Sequence, residues 1–234
     1  SNPAQIQIGI SLTGTKFFDG KMYYMKVWNR LLTDNEVATL SADRTTHVSA
    51  PPASGLIGHW NMDSNDISGT TVYDKSGNGN NGTITGATSV EGKIKEALNF
   101  TTGGSNNVNF GNDAILNPST QITVSAWVKP SILTGNQPLL FKSVNEYYIW
   151  LTVGGSIQMV TKGLSDEIMS LSSSLLTLND WNYLTFTYNG AIKKIYLNGT
   201  EITSENATGN ITTGANDLIL GYFATAMGGA IDEL

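Results

Sequence analysis

The sequence predicts an all-β fold, an antiparallel two-sheet sandwich or jelly roll with one short helix. Three observations carry this. Apolar residues recur at every second position over short runs, Gly- and Asn-rich turns separate those runs, and a single stretch carries helical spacing.

The elements follow in chain order. FFDGKMYYMKVWNR, Phe17 to Arg30, reads as a glycine turn and a strand. LTDNEVATLSA predicts one short helix. Thr33 is its N-cap, Glu36 three residues on completes a capping box, and Val37 and Leu40 give an apolar stripe. DRTTHVSAPPASG, with Pro51 and Pro52 and no periodicity, is a linker. GLIGHWNMD and EALNF are strands. TVSAWVKP alternates Val124, Ala126 and Val128 against Thr123, Ser125 and Trp127, and Pro130 closes it. YYIWLTVGGSIQMVT is two strands about Gly154-Gly155. Ile149, Leu151 and Val153 face the core, with Tyr148, Trp150 and Thr152 on the other face. NYLTFTYNGAIKKIYLNGTEI is a three-strand meander turning at Asn189-Gly190 and Asn198-Gly199. NDLILGYF and GGAIDEL are the last strands.

Composition bounds the function. The 234 residues, 40% hydrophobic and 14% charged, suit one large domain or a domain plus a fragment. A net charge of −6 argues against a nucleic-acid partner. No apolar run is long enough to insert into a membrane. The absence of cysteine excludes disulfides, thiolate metal sites and cysteine nucleophiles.

The two ends of the chain are alike. IQIGIS, Ile6 to Ser11, resembles LILGYF, Leu218 to Phe223, and GKMYYM, Gly20 to Met25, resembles GAIDEL, Gly229 to Leu234. Residues 55–234 also resemble the laminin-G-like, concanavalin A-like jelly rolls of bacterial, archaeal and phage surface proteins. The matching pieces are GLIGHWNMD, GTTVYDKSGNGNNGTITG, GKIKEALNF, ITVSAWVKP, WNYLTFTYNGAIKKIYLNGT and GGAIDEL, in the family's order.

MYYMKVWNRLLTDNEVATL resembles the end of such a domain, a last strand running into a short helix. The resemblance therefore implies three parts. Residues 1–45 are the C-terminal strands and helix of a preceding copy, 46–54 are a linker, and 55–234 are a jelly roll lacking its last strand. An open slot would leave unpaired backbone at about 1–3 kcal/mol per buried group. Three occupants are open: residues 20–30 folding back as a permuted strand, the same segment donated by a neighbouring copy, or residues of a longer chain.

The chemistry is sparse. His47 lies in the linker and His59 beside Trp60 in a core strand, and no Ser-His-Asp grouping or paired-carboxylate motif of a glycanase is present. The expected protein is not an enzyme. DKSGNG, Asp74 to Gly79, spaces its oxygens as a calcium loop does, but Thr85 stands where the bidentate glutamate belongs, so a glycine-rich turn is the reading. The resemblance implies one structural Ca²⁺, on Asp63 and Asp232; the first-copy equivalent of Asp232 is Tyr23. Trp60, Trp127 and Trp181 are packing residues. Tyr148 and Trp150, joined by Tyr222, are the candidate sugar-stacking residues of a concave sheet face.

Two functions follow as expectations. One is an extracellular, cell-surface or virion-surface module that binds glycan or a surface protein in adhesion. The other is a structural subunit of a filament or phage appendage, built from identical subunits by strand exchange.

Overall fold

The computed structural model describes residues 20–42, 54–101, 105–171, 175–221 and 229–232. Ile6–Ser11, most of the linker and Tyr222 lie outside the described residues.

In chain order the strands are β1 (Gly20–Trp28), β2 (Leu56–Trp60), β3 (Ile67–Ser68), β4 (Thr71–Val72), β5 (Gly82–Thr85), β6 (Thr88–Glu91), β7 (Glu96–Phe100), β8 (Asn107–Asn109) and β9 (Ile122–Pro130). They continue as β10 (Gln137–Phe141), β11 (Tyr147–Thr152), β12 (Ser156–Thr161), β13 (Ile168–Leu171), β14 (Asn182–Tyr188), β15 (Ile192–Leu197), β16 (Thr200–Asn206), β17 (Ile219–Leu220) and β18 (Gly229–Asp232). Helix α1 is Asp34–Ala42. The first sheet runs β16-β15-β14-β9-β18-β1-β7-β6, with β2 on β1; the second runs β13-β12-β11-β10-β17-β8-β5-β4-β3. The chain is a two-sheet jelly-roll sandwich, with the antiparallel strands that the alternation predicts and the jelly roll that the resemblance implies.

The turn residues do what their chemistry requires. Asn198 (φ 51°) and Gly199 (φ 80°) both take the left-handed conformation between the paired Leu197 and Thr200, as a two-residue hairpin with right-handed twist needs. Asn189 accepts the Ala191 and Ile192 amides at 2.9 and 2.8 Å and so closes the β14–β15 turn. Val153, expected in the core, is 65% exposed because it already belongs to the Gly154-Gly155 turn.

Strand β1 has two sets of neighbours. Gly20–Tyr23 pairs with β18 on one side, and Gly20–Met22 with β7 on the other. Met25–Trp28 pairs with β2, and Lys26–Trp28 also with Thr123–Ser125 of β9. Asp232 of β18 stands opposite Trp127 on β9, and Lys26 takes the position opposite Ser125, further along the same strand. Both β1 and β18 run antiparallel to β9, so they lie parallel to each other. This is where the sheet departs from the all-antiparallel expectation.

Between the sheets, Val124, Ala126 and Val128 of β9 pack with Leu184 and Phe186 of β14 and with Ile149 and Leu151 of β11. Trp60 stacks on Phe110 at 3.9 Å between centroids and donates Nε1–H to the Asn80 carbonyl at 2.7 Å. The outer face of the first sheet carries a second apolar cluster. Trp28, Leu32, Val37 and Leu40 close over Ile94, Trp127, Tyr183 and Tyr196. Each such side chain stabilises by roughly 1.5–3 kcal/mol on burial. That cover explains why β14 is buried along its whole length, on both faces.

The helix start follows the capping-box expectation. The Thr33 amide donates to Glu36 Oε2 at 2.8 Å, and the Glu36 amide donates to Thr33 Oγ1 at 3.3 Å. The Arg30 guanidinium holds Glu36 at 2.9 Å and, more than any other group, brings its carboxyl down to about 2. Tyr196 donates its hydroxyl to Asp34 at 2.8 Å, tying α1 to β15.

Candidate functional site

The outer face of the second sheet carries the exposed-side aromatics. On β11, Tyr147, Ile149 and Leu151 are buried in the sandwich, and Tyr148, Trp150 and Thr152 alternate outward, half-buried. The register sets Phe141, Tyr148, Val160 and Ile168 in one row across β10 to β13, and Pro138, Trp150, Gln158 and Ser170 in the next. Neighbouring rings make a continuous strip: Phe141 to Tyr148 is 5.6 Å between centroids, and Tyr148 to Trp150 is 4.8 Å. Burial pushes the Tyr148 phenol up, so its hydroxyl stays a neutral donor and acceptor. Gln158 Nε2 donates to Ser170 Oγ at 3.0 Å beside the strip. An apolar ring surface edged by amide and hydroxyl groups suits a ligand with one apolar face and a hydroxyl rim.

Tyr148 and Trp150 are thus side by side on the face the alternation assigns them. Phe141 was not legible in QPLLF. The register shifts between Pro138 and Leu140, which sends both Leu139 and Leu140 into the core and breaks the alternation.

At one end of this face lies a buried polar cluster that the sequence did not announce. Lys142, Glu146 and Asp217 are all 1% exposed. Lys142 Nζ donates to Asn112 Oδ1 at 2.9 Å and to the Asn216 carbonyl at 3.0 Å. Asn109 Nδ2 donates to Asp217 at 3.0 Å. Burial brings the Lys142 ammonium down to about 8, against the Glu146 and Asp217 charges that hold it up. Burial raises the Asp217 carboxyl to about 7, opposed by Lys142.

Asp63 and Asp232 are both fully buried and are both held by one turn, residues 92–95, where the Gly92 amide donates to the Lys95 carbonyl at 2.8 Å. Lys95 Nζ meets Asp63 Oδ2 at 2.8 Å, and the Lys93 amide donates to Asp232 Oδ2 at 2.7 Å. Ca²⁺ takes about 6–8 oxygen ligands. Among the described residues, no three His, Cys, Asp or Glu side chains gather into a metal-holding group. This donor set, with an ammonium against one carboxylate and a backbone amide on the other, does not fit Ca²⁺.

Asp74 is the centre of the glycine-rich turn. Its oxygens accept from the His59, Ser76 and Asn80 amides at 3.0, 2.8 and 3.0 Å and from Ser76 Oγ at 2.8 Å. A polar cavity of about 260 Å³ lies elsewhere, lined by Asn29, Asn117, Ser119, Thr120 and Gln121 among others.

The family model described as the concanavalin A-like lectin/glucanases superfamily matches residues 102–234. No curated protein matches the chain. Among solved structures, Domain 4 of AbnA, a GH43 extracellular arabinanase from Geobacillus stearothermophilus in complex with arabinotriose, is similar at 26% identity and a TM-score of 0.56. The match covers 75% of this chain and 88% of that one. The binding domain of Paraclostridial Mosquitocidal Protein 1 is similar at 20% identity and a TM-score of 0.56, over 72% of this chain and 44% of that one. A mutant Trypanosoma rangeli sialidase displaying trans-sialidase activity is similar at 18% identity and a TM-score of 0.54, over 80% and 31%. The chain thus spans less than half of the mosquitocidal binding-domain chain and of the sialidase, and these two likenesses speak for the fold alone.

Proposed function

The chain belongs to the concanavalin A-like lectin/glucanases superfamily, and from that premise we propose that it is a non-catalytic glycan-binding module that works outside the cell or on a cell or virion surface. The observation that carries the reading is the pair of half-buried rings, Tyr148 and Trp150, on the outer face of the second sheet, packed against the buried Phe141. Pyranose and furanose rings present C–H faces to aromatic surfaces and hydroxyls to amides, and Gln158 and Ser170 supply polar groups beside Trp150. The arabinanase domain with bound arabinotriose, similar at 26% identity, supports an oligosaccharide as the ligand. Tyr222 belongs to the proposed site by sequence.

Screening against a glycan array, followed by calorimetry with the best oligosaccharide, tests this. Binding is expected, with Trp150→Ala weakening it at least tenfold and leaving the melting temperature nearly unchanged. Equal affinity of wild type and Trp150→Ala would refute the site.

A second reading, a structural subunit linked to identical copies by strand exchange, draws support from β1. This strand lies inside the first sheet, with partners on both sides, and the same strand from a neighbouring copy would form the same pairs. Light scattering on the full chain and on a variant lacking residues 1–30 checks it. Large species that vanish with the deletion support exchange, and a monomer at every concentration rules it out.

A further inference from the structure

We propose that Lys95 is a built-in cation that takes the place of a structural metal, so that this fold is independent of calcium. The inference does not depend on the ligand of the aromatic face. Asp63, in the loop after β2, and Asp232, at the end of β18, are fully buried carboxylates, and both are gripped by the 92–95 turn. Two buried negative charges so placed need compensating positive charge. The turn provides it without a metal. The Lys95 ammonium contacts Asp63 Oδ2 at 2.8 Å, and the amides of Lys93 and Ile94 point at Asp232 Oδ2 at 2.7 and 3.5 Å.

Two further features show that the turn is shaped for this purpose. Lys95 holds φ of 65°, a left-handed conformation that a side-chain-bearing residue adopts at a cost. Gly92 has no room for a side chain, because a Cβ there would collide with the Asp232 carboxylate. The Lys95 side chain is 49% exposed while Asp63 is fully buried, so the long aliphatic stem reaches in from the surface and seals the carboxylate.

Calorimetric melting of the full chain tests the proposal. The wild type is expected to melt at the same temperature in chelator and in millimolar calcium, and to carry no calcium by metal analysis after dialysis. Lys95→Met, which keeps the stem and removes the charge, is expected to melt lower by about 5 °C, because it withdraws the ammonium from the fully buried Asp63 carboxylate. The double variant Asp63→Asn/Lys95→Met is expected to melt no lower than Lys95→Met alone, because neither change then leaves an uncompensated charge. A wild type that calcium stabilises, or a Lys95→Met protein that melts like the wild type, overturns the proposal. If Lys95→Met does not fold, the wild-type comparison in chelator and calcium decides alone.

Discussion

Gly20 stands opposite Gly229 in a parallel pair of strands, and these are the two glycines that the sequence aligns as equivalents. The two like segments therefore lie side by side in the register of their alignment, which brings Tyr23 beside Asp232. Beyond that pair, β1 continues alone between β2 and β9, and α1 folds over the outer face.

If β1 and α1 are integral, their core residues must matter. Trp28 is fully buried against the cluster that includes Trp127 and Tyr183. Trp28→Ala is expected to cost about 3–5 kcal/mol in urea unfolding. An unchanged midpoint would show that residues 20–42 are not packed on the sheet in solution.

The helix start gives a smaller, pH-dependent effect. Thr33→Ala removes the oxygen that accepts the Glu36 amide, and about 1 kcal/mol is expected. Glu36 has its folded pKa depressed to about 2 from 4.5. Its contribution is present above pH 4.5 and is lost as pH falls toward 2. Glu36→Gln should therefore flatten the acid limb of a stability-versus-pH curve, read by circular dichroism.

Asp217 has the opposite sign. Its folded pKa of about 7 lies above the ordinary 3.8, so between these values the native state holds a proton that the unfolded chain has released. Stability should fall as pH rises from 3.8 to about 7, and Asp217→Asn should remove that slope. Lys142, lowered from 10.5 to about 8, adds the reverse trend at alkaline pH, where stability should rise between these values. Melting temperatures across the pH series check both, and a slope identical in Asp217→Asn and wild type would contradict the assignment.

Gly58 tests the packing beneath the first sheet's edge. A Cβ there would run into the Trp60 ring, which is fixed by Phe110 and by the Asn80 carbonyl. Gly58→Ala is expected to destabilise by about 1–3 kcal/mol, the range for overpacking, measured by chemical denaturation.

Much of the sandwich was legible because strands with one face in the core write their alternation into the sequence, as Val124, Ala126 and Val128 do. The Thr33–Glu36 box and the Asn198-Gly199 turn were legible for a local reason: each is settled within four residues. What was hidden depends on distant partners. Trp127 was readable as a packing residue, but the alternation does not say that Thr123 and Ser125 beside it are buried too, on the face where Trp127 meets Trp28 and α1 and where Thr123 donates to the Arg30 carbonyl. The parallel pair arises only because two strands share β9. At the candidate site, Tyr148 and Trp150 were readable from alternation, while Phe141 was masked by the irregular register of β10. The Lys142–Glu146–Asp217 cluster joins the β10–β11 turn to a segment some seventy residues on and leaves no local motif.

The position of β1 also shapes how this protein is made. Its partners lie at residues 56–60, 98–100, 123–125 and 229–232, all later in the chain, so β1 cannot complete its pairing until the last of them has emerged. Contacts of such long range slow folding and prolong the time during which strand edges stand open to other nascent chains. Refolding yield should therefore fall steeply with protein concentration, and a chaperone that shields extended segments should restore it.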